Sequence, residues 1–122
     1  MKGFHQLAIA LVGLSILAFT GPLVVLASGG STSLENGKAV YGTTCIACHG
    51  AKGKGEIPGV PDFTKKKSPL SKSDAELFQN LLNGFQSPGS FMEMPIKGGN
   101  PDLTEQDIQD VILYLREEFE KK

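Results

Sequence analysis

Cys45-Ile46-Ala47-Cys48-His49 is the stretch on which the reading of this chain turns. C-x-x-C-H is the attachment signature of a c-type haem. Two thiols three positions apart lie about one helical turn from each other, so each can add to one vinyl group of the same porphyrin. The adjacent imidazole of His49 then stands over the iron as its proximal ligand. Other readings of the motif are weaker. A thioredoxin-like dithiol calls for a βαβ setting that this stretch does not have. A structural zinc site needs four ligands, whereas the chain holds two Cys and, besides His49, only His5. A disulfide across so small a loop stabilises little. Haem attachment consumes both cysteines and leaves none to pair.

The rest of the chain is consistent with one small domain. It has 122 residues, 40% of them hydrophobic and 20% charged, with no internal repeat or low-complexity tract. A formal net charge of −1 argues against a generally nucleic-acid-binding surface, and no nucleic-acid partner is expected. Residues 1–27 stand apart. Lys2 is the only charged side chain before Glu35, and Leu7 to Ala27 form a nearly unbroken apolar run of 21 residues. As a signal peptide, the segment has a basic start, an apolar stretch broken at Gly21-Pro22, and a cleavage site after Val25-Leu26-Ala27. As an uncleaved anchor through residues 7–27 it is just long enough to cross a bilayer. Either reading delivers the following domain outside the cytoplasm, with Lys2 left inside. The domain is then periplasmic, or held at the inner membrane with its haem on the periplasmic side. Residues 28–33 read as a flexible linker and residues 34–122 as the haem domain.

Three capped helices are expected. Thr32-Ser33-Leu34-Glu35 reads as a capping box with Thr32 covering the amide of Glu35. Gly37 and Tyr41 follow four residues apart, and the bare backbone of Gly37 suits close approach of another helix. Gly50 to Lys67, rich in Gly, Pro and Lys, is loop. Pro58 and Pro61 stiffen that loop, and either could place a carbonyl to accept the outer N–H of His49. Ser73-Asp74-Ala75-Glu76 caps a second helix, which carries Leu77, Phe78, Leu81 and Leu82 and ends at Asn83-Gly84. Gln86 to Pro101 is irregular. Thr104 to Asp107 gives an acidic, capped start to the last helix, whose stripe is Ile108, Val111, Ile112, Leu115 and Phe119. Tyr114 flanks that stripe and could meet Gly37.

Phe91-Met92-Glu93-Met94-Pro95 supplies the natural sixth ligand, because a thioether opposite an imidazole completes the iron and raises its potential. Met94 is preferred because Pro95 stiffens the chain directly behind it; Met92 is the alternative.

Taken together, residues 34 to 119 resemble a class I cytochrome c. The resemblance rests on C-x-x-C-H at the end of a first helix and on Met94-Pro95 before a last helix ending in Tyr114-Leu115-Arg116. It implies an all-α fold of about three main helices with loops wrapped around one covalently bound haem c. It implies Cys45 and Cys48 as thioether attachments, His49 and Met94 as axial ligands, and a crossing of Gly37 and Tyr41 with the last helix near Tyr114. Gly53 to Phe63 is similar to the family's loop whose proline carbonyl accepts the His N–H, which points to Pro61. The chain has no Trp, so the haem-propionate contact that many relatives make is unassigned.

The function that follows is single-electron transfer rather than catalysis, with both axial positions filled by protein. Its partners would be redox proteins: an upstream quinol- or substrate-oxidising complex and a downstream oxidase or reductase. A membrane-tethered subunit of a respiratory or photosynthetic complex is the alternative, and a sensor or catalyst with an open distal site is a further one. Lys52, Lys54, Lys65, Lys66, Lys67 and Lys72 follow the motif, while residues 102–120 carry seven acids against Arg116, a polarity that would steer docking.

Overall fold

Residues 32–120 are described by the computed structural model. The segment read as signal peptide or anchor, residues 28–31 of the linker, and Lys121-Lys122 therefore lie outside the described residues. Among the described residues no helix is long and apolar enough to cross a membrane.

The chain winds as α1 (Leu34–Val40), a π-helical segment (Tyr41–Cys45), α2 (Ile46–His49), α3 (Asp74–Asn83) and α4 (Glu105–Phe119). Short 3₁₀ turns stand at Pro69–Ser71 and Ile96–Gly99. α1, the π segment and α2 form one rod, because the amide of Ile46 reaches back to the Tyr41 carbonyl without a break. A π insertion of this kind is rare and tends to mark functional positions. It re-phases the helix just where the two cysteines begin.

The first helix is capped by Ser33, not by Thr32. The Ser33 hydroxyl accepts from the Asn36 amide at 3.1 Å, and the Ser33 carbonyl accepts from Gly37 at 2.9 Å. The cap shifts by one residue because the Ser33 amide is itself claimed by Asp110 on α4, at 2.8 Å. The other two caps lie where the sequence puts them. Ser73 accepts from the Glu76 amide, and Thr104 with Asp107 completes a reciprocal box.

α1 and α4 cross at Gly37. A Cβ there would stand 2.0 Å from the Asp110 carbonyl oxygen and 3.0 Å from Tyr114 Cβ, so only glycine admits this approach. Around the crossing, Ile108 and Val111 are 0% and 1% exposed, and Ile112, Leu115 and Phe119 are also buried. Full burial of each such side chain contributes about 1.5–3 kcal/mol. The crossing also buries a carboxylate. Asp110 is 2% exposed and accepts from the Ser33 amide, from Asn36 Nδ2 at 2.7 Å and from Gln106 Nε2 at 2.9 Å. Burial pushes the Asp110 carboxyl up, but these hydrogen bonds together outweigh it and hold the group below the usual carboxylate range.

The stretch expected to be irregular contains a two-rung antiparallel ladder, β1 (Phe85–Gln86) with β2 (Glu93–Met94), pairing Phe85 with Met94. Strands of two residues are too short to show alternation in sequence. The ladder matters because it fixes Met94 against the end of α3.

Candidate haem site

One large cleft of about 1100 Å³, counting its open mouth, runs between the α2 motif, the 59–70 segment, α3 and the β1–β2 hairpin. Its lining is overwhelmingly apolar, from residues such as Val60, Phe63, Leu70, Leu77, Leu81 and Leu115. Cys45, Cys48, His49, Pro61, Met92 and Met94 all line it as well. Chain segments some 45 residues apart thus converge on a single cavity.

The motif wall is built by hydrogen bonds to the end of α2. The Gly50 amide donates to the Ile46 carbonyl at 2.8 Å, Gly55 to the His49 carbonyl at 2.9 Å and Glu56 to the Cys48 carbonyl at 2.9 Å. The carbonyls that a helix end leaves open are thereby satisfied by the loop that follows. Tyr41, 2% exposed, donates from its hydroxyl to the Gly50 carbonyl at 2.6 Å and packs on Tyr114 and Phe119. Burial, then the neighbouring Cys45 and Tyr114, keep its phenol protonated well above the ordinary range.

The reactive groups differ in setting. Cys45 is half-buried, and burial followed by the Cys48 thiol pushes its pKa up to about 11. Cys48 is exposed at the cleft edge. Burial lowers His49 to about 4, so the imidazole is neutral at pH 7, as a metal ligand must be. Its ring stacks on Phe63 at 4.4 Å between centroids, with 16° between planes. Phe63 in turn meets Phe119 of α4 at 6.0 Å. The imidazole plane is therefore set from the crossing of α1 and α4 through a chain of rings.

His49 Nδ1 is buried and has no hydrogen-bond partner. Pro61 lines the cleft and Pro58 is exposed outside its lining, but neither carbonyl accepts from Nδ1 in this arrangement. On the hairpin wall Met92 and Met94 are both half-buried. Of the α3 residues, Leu77 and Leu81 face the cleft, whereas Phe78 borders a separate groove between α3 and α4.

Three further roles escaped the sequence reading. Phe63, the stacking partner, carries no local signal beyond being aromatic in a loop. Arg116 bonds the Asp74 carboxylate at 2.8 Å and the carbonyls of Lys72 and Leu70, tying α4 to the cleft's floor. Lys72 stands 4.2 Å over the Phe85 ring and 2.9 Å from Glu76, so it is already partnered. Arg116 could have been suspected from its place as the only cation among the acids of α4.

Two thiols, a neutral imidazole and two thioether sulfurs around one apolar cleft form a donor set that fits a single haem. Comparison with known protein families agrees with the geometry. The family model described as Cytochrome c matches residues 34–118. A cytochrome c-555 of Prosthecochloris aestuarii is 37% identical over 84 residues, 67% of this chain and 84% of that protein. A cytochrome c6 of Pyropia yezoensis is 32% identical over 91 residues, covering 75% of this chain and 76% of its own length. A cytochrome c6 of Pyropia tenera is 33% identical over 88 residues, 72% of this chain and 95% of that one.

Proposed function

The chain belongs to the cytochrome c family, electron carriers with one covalently bound c-type haem, and from that premise we propose a His/Met-ligated shuttle. Cys45 and Cys48 carry the two thioether links, His49 is the proximal ligand and Met94 the distal one. When bound, the haem iron supplies the one-electron couple. The protein's part is to hold it dry and in one geometry. Apolar side chains from α3, α4 and the 59–70 segment exclude water, the Phe63 ring orients the imidazole, and the β1–β2 ladder fixes Met94. The outer N–H of His49 is assigned to the Pro61 carbonyl in the loaded protein. The buried, unpartnered Nδ1 and the position of Pro61 in the lining support that assignment.

The observation that carries the reading is the convergence of Cys45, Cys48, His49 and the two methionines on one apolar cleft. Met94 is preferred over Met92 because it is held on the ladder opposite Phe85, directly before Pro95. Optical spectra of the oxidised and reduced protein, with and without carbon monoxide, test this. A sulfur-to-iron charge-transfer band and no response to carbon monoxide are expected, with the band lost in Met94→Ala and kept in Met92→Ala. Loss in Met92→Ala alone would reassign the ligand. Carbon monoxide binding in the unaltered protein would favour an open distal site.

The partners are redox proteins on the far side of a membrane from the cytoplasm, the chain being exported through its N-terminal segment, as a signal peptide or as a tether. Lys52, Lys54, Lys65, Lys66 and Lys67 are exposed and make no ion pair among the described residues, which supports docking to an acidic surface. The rate of electron exchange with such a partner should fall as ionic strength rises. A flat rate would remove the docking role.

A further inference from the structure

Among the described residues, one side chain carries the hydrogen bond from the turn at 87–92 to chain outside the hairpin. Ser90 sits between the two strands of the hairpin, and its hydroxyl lies 3.2 Å from the Gly59 carbonyl oxygen, 31 residues away. The same hydroxyl oxygen accepts from the Met92 amide at 3.1 Å and lies 3.1 Å from the Met92 carbonyl. The hydroxyl's single proton is thus shared between Gly59 and Met92, while its lone pair holds the Met92 backbone. The turn is closed locally by the Ser90 amide on the Ser87 carbonyl and by Gln86 Nε2 on the Ser90 carbonyl. Among the described residues, Ser90 to Gly59 is the only hydrogen bond from residues 87–92 to chain outside the hairpin.

Gly59 is shaped for this contact. It has φ of +93°, and a Cβ there would stand 3.1 Å from Met92 Cβ, 3.3 Å from Ser90 Oγ and 3.5 Å from Phe91 Cε1. A Cβ would press on Met92 and on the Ser90 hydroxyl and meet the Phe91 ring at ordinary contact, in a backbone conformation that side chains rarely adopt. Gly59 also lies next to Val60 and Pro61, and it lines the cleft together with Met92 and Met94. The contact therefore joins the proline wall of the cleft to the methionine wall, at the cleft's rim.

We propose that Ser90 is a positioning residue: its bond to the Gly59 carbonyl clasps the methionine loop to the proline loop and keeps the distal side closed to outside ligands. Ser90 touches no reacting atom. It acts through the backbone of Met92 and the hairpin that carries Met94. The inference rests on methionine ligation as proposed above.

Imidazole titration of the oxidised holoprotein, followed by loss of the sulfur-to-iron charge-transfer band, separates the two. Removing one hydrogen bond that must break on opening should tighten imidazole binding about fivefold in Ser90→Ala. Ser90→Thr, which keeps the hydroxyl, should return the affinity to that of the unaltered protein. Gly59→Ala keeps Ser90 but wedges the loop apart, and should open the site at least as far. A purely structural role for Ser90 would change thermal stability and leave the imidazole affinity unmoved. The clasp is overturned if Ser90→Ala binds imidazole as weakly as the unaltered protein while the band is present in both. Absence of the band from the unaltered protein would instead overturn methionine ligation, and the clasp with it.

Discussion

The α1–α4 crossing and the cleft wall are made from similar residues, yet they are finished to different degrees. At the crossing, Gly37 lets two helices touch, five apolar side chains of α4 are buried, and the enclosed carboxylate of Asp110 has three donors. That region satisfies its own groups. In the cleft, Leu81, Met92 and Met94 are only half-buried, and the His49 Nδ1 is left without a partner. A domain of this size buries too little apolar surface to leave such a wall open at no cost. One half of the molecule satisfies its own groups, and the other leaves an apolar wall that a haem would cover.

The sharpest way to break that comparison is to take the haem away. Cys45→Ala/Cys48→Ala should lose the cooperative thermal transition altogether, read by circular dichroism. A native-like melt in that variant would mean the cleft half needs no support. Next in size is Gly37→Ala, which drives a methyl against the Asp110 carbonyl and should cost about 3 kcal/mol by denaturant unfolding. Gly42 is the internal control. A Cβ there meets nothing within 4 Å, so Gly42→Ala should instead stabilise the protein by about 0.5–1 kcal/mol. Equal effects at the two glycines would remove the close-approach argument.

Arg116 links the two halves, and Arg116→Gln should cost about 2 kcal/mol, since it drops charged hydrogen bonds to the Leu70 and Lys72 carbonyls and to Asp74. A loss no larger than that of a surface substitution would separate the halves. The smallest effect is a slope. Asp107, through Asn36 and then Thr104, and Asp110, through bonds that outweigh its burial, both titrate below an ordinary carboxylate. A lowered folded pKa stabilises above the unfolded value near about 4 and loses that contribution as pH falls through the folded one. Asp110→Asn should therefore flatten the acid limb of the stability curve below about pH 4 without abolishing it. An unchanged limb would assign the acid sensitivity elsewhere.

Much of the molecule was legible from local chemistry. The motif, the stripe of α4 and the caps at Ser73 and Thr104 depend on residues within a turn or two of one another. The meeting of Gly37 with Tyr114 was legible because a small residue and an aromatic flank two predicted helices. Other features were not. Asp110 reads as a surface acid, since nothing in Gln109-Asp110-Val111 says that a serine amide 77 residues away will cover it. The Ser33 cap moved by one residue for the same reason.

Sequence alone determined which chemical groups this protein carries. Two cysteines and a histidine stand at fixed spacing, two methionines lie near a proline, and three helices bear or flank them. These follow from covalent reactivity and helical periodicity, which act over a few residues. Only the tertiary structure decided how those groups are held. The stacking of His49 on Phe63, the reach of Arg116 from α4 to the cleft floor, and the contact of Ser90 with Gly59 all join residues well apart in the chain. Such contacts are chosen by how whole elements pack, and packing is a property of the assembled fold.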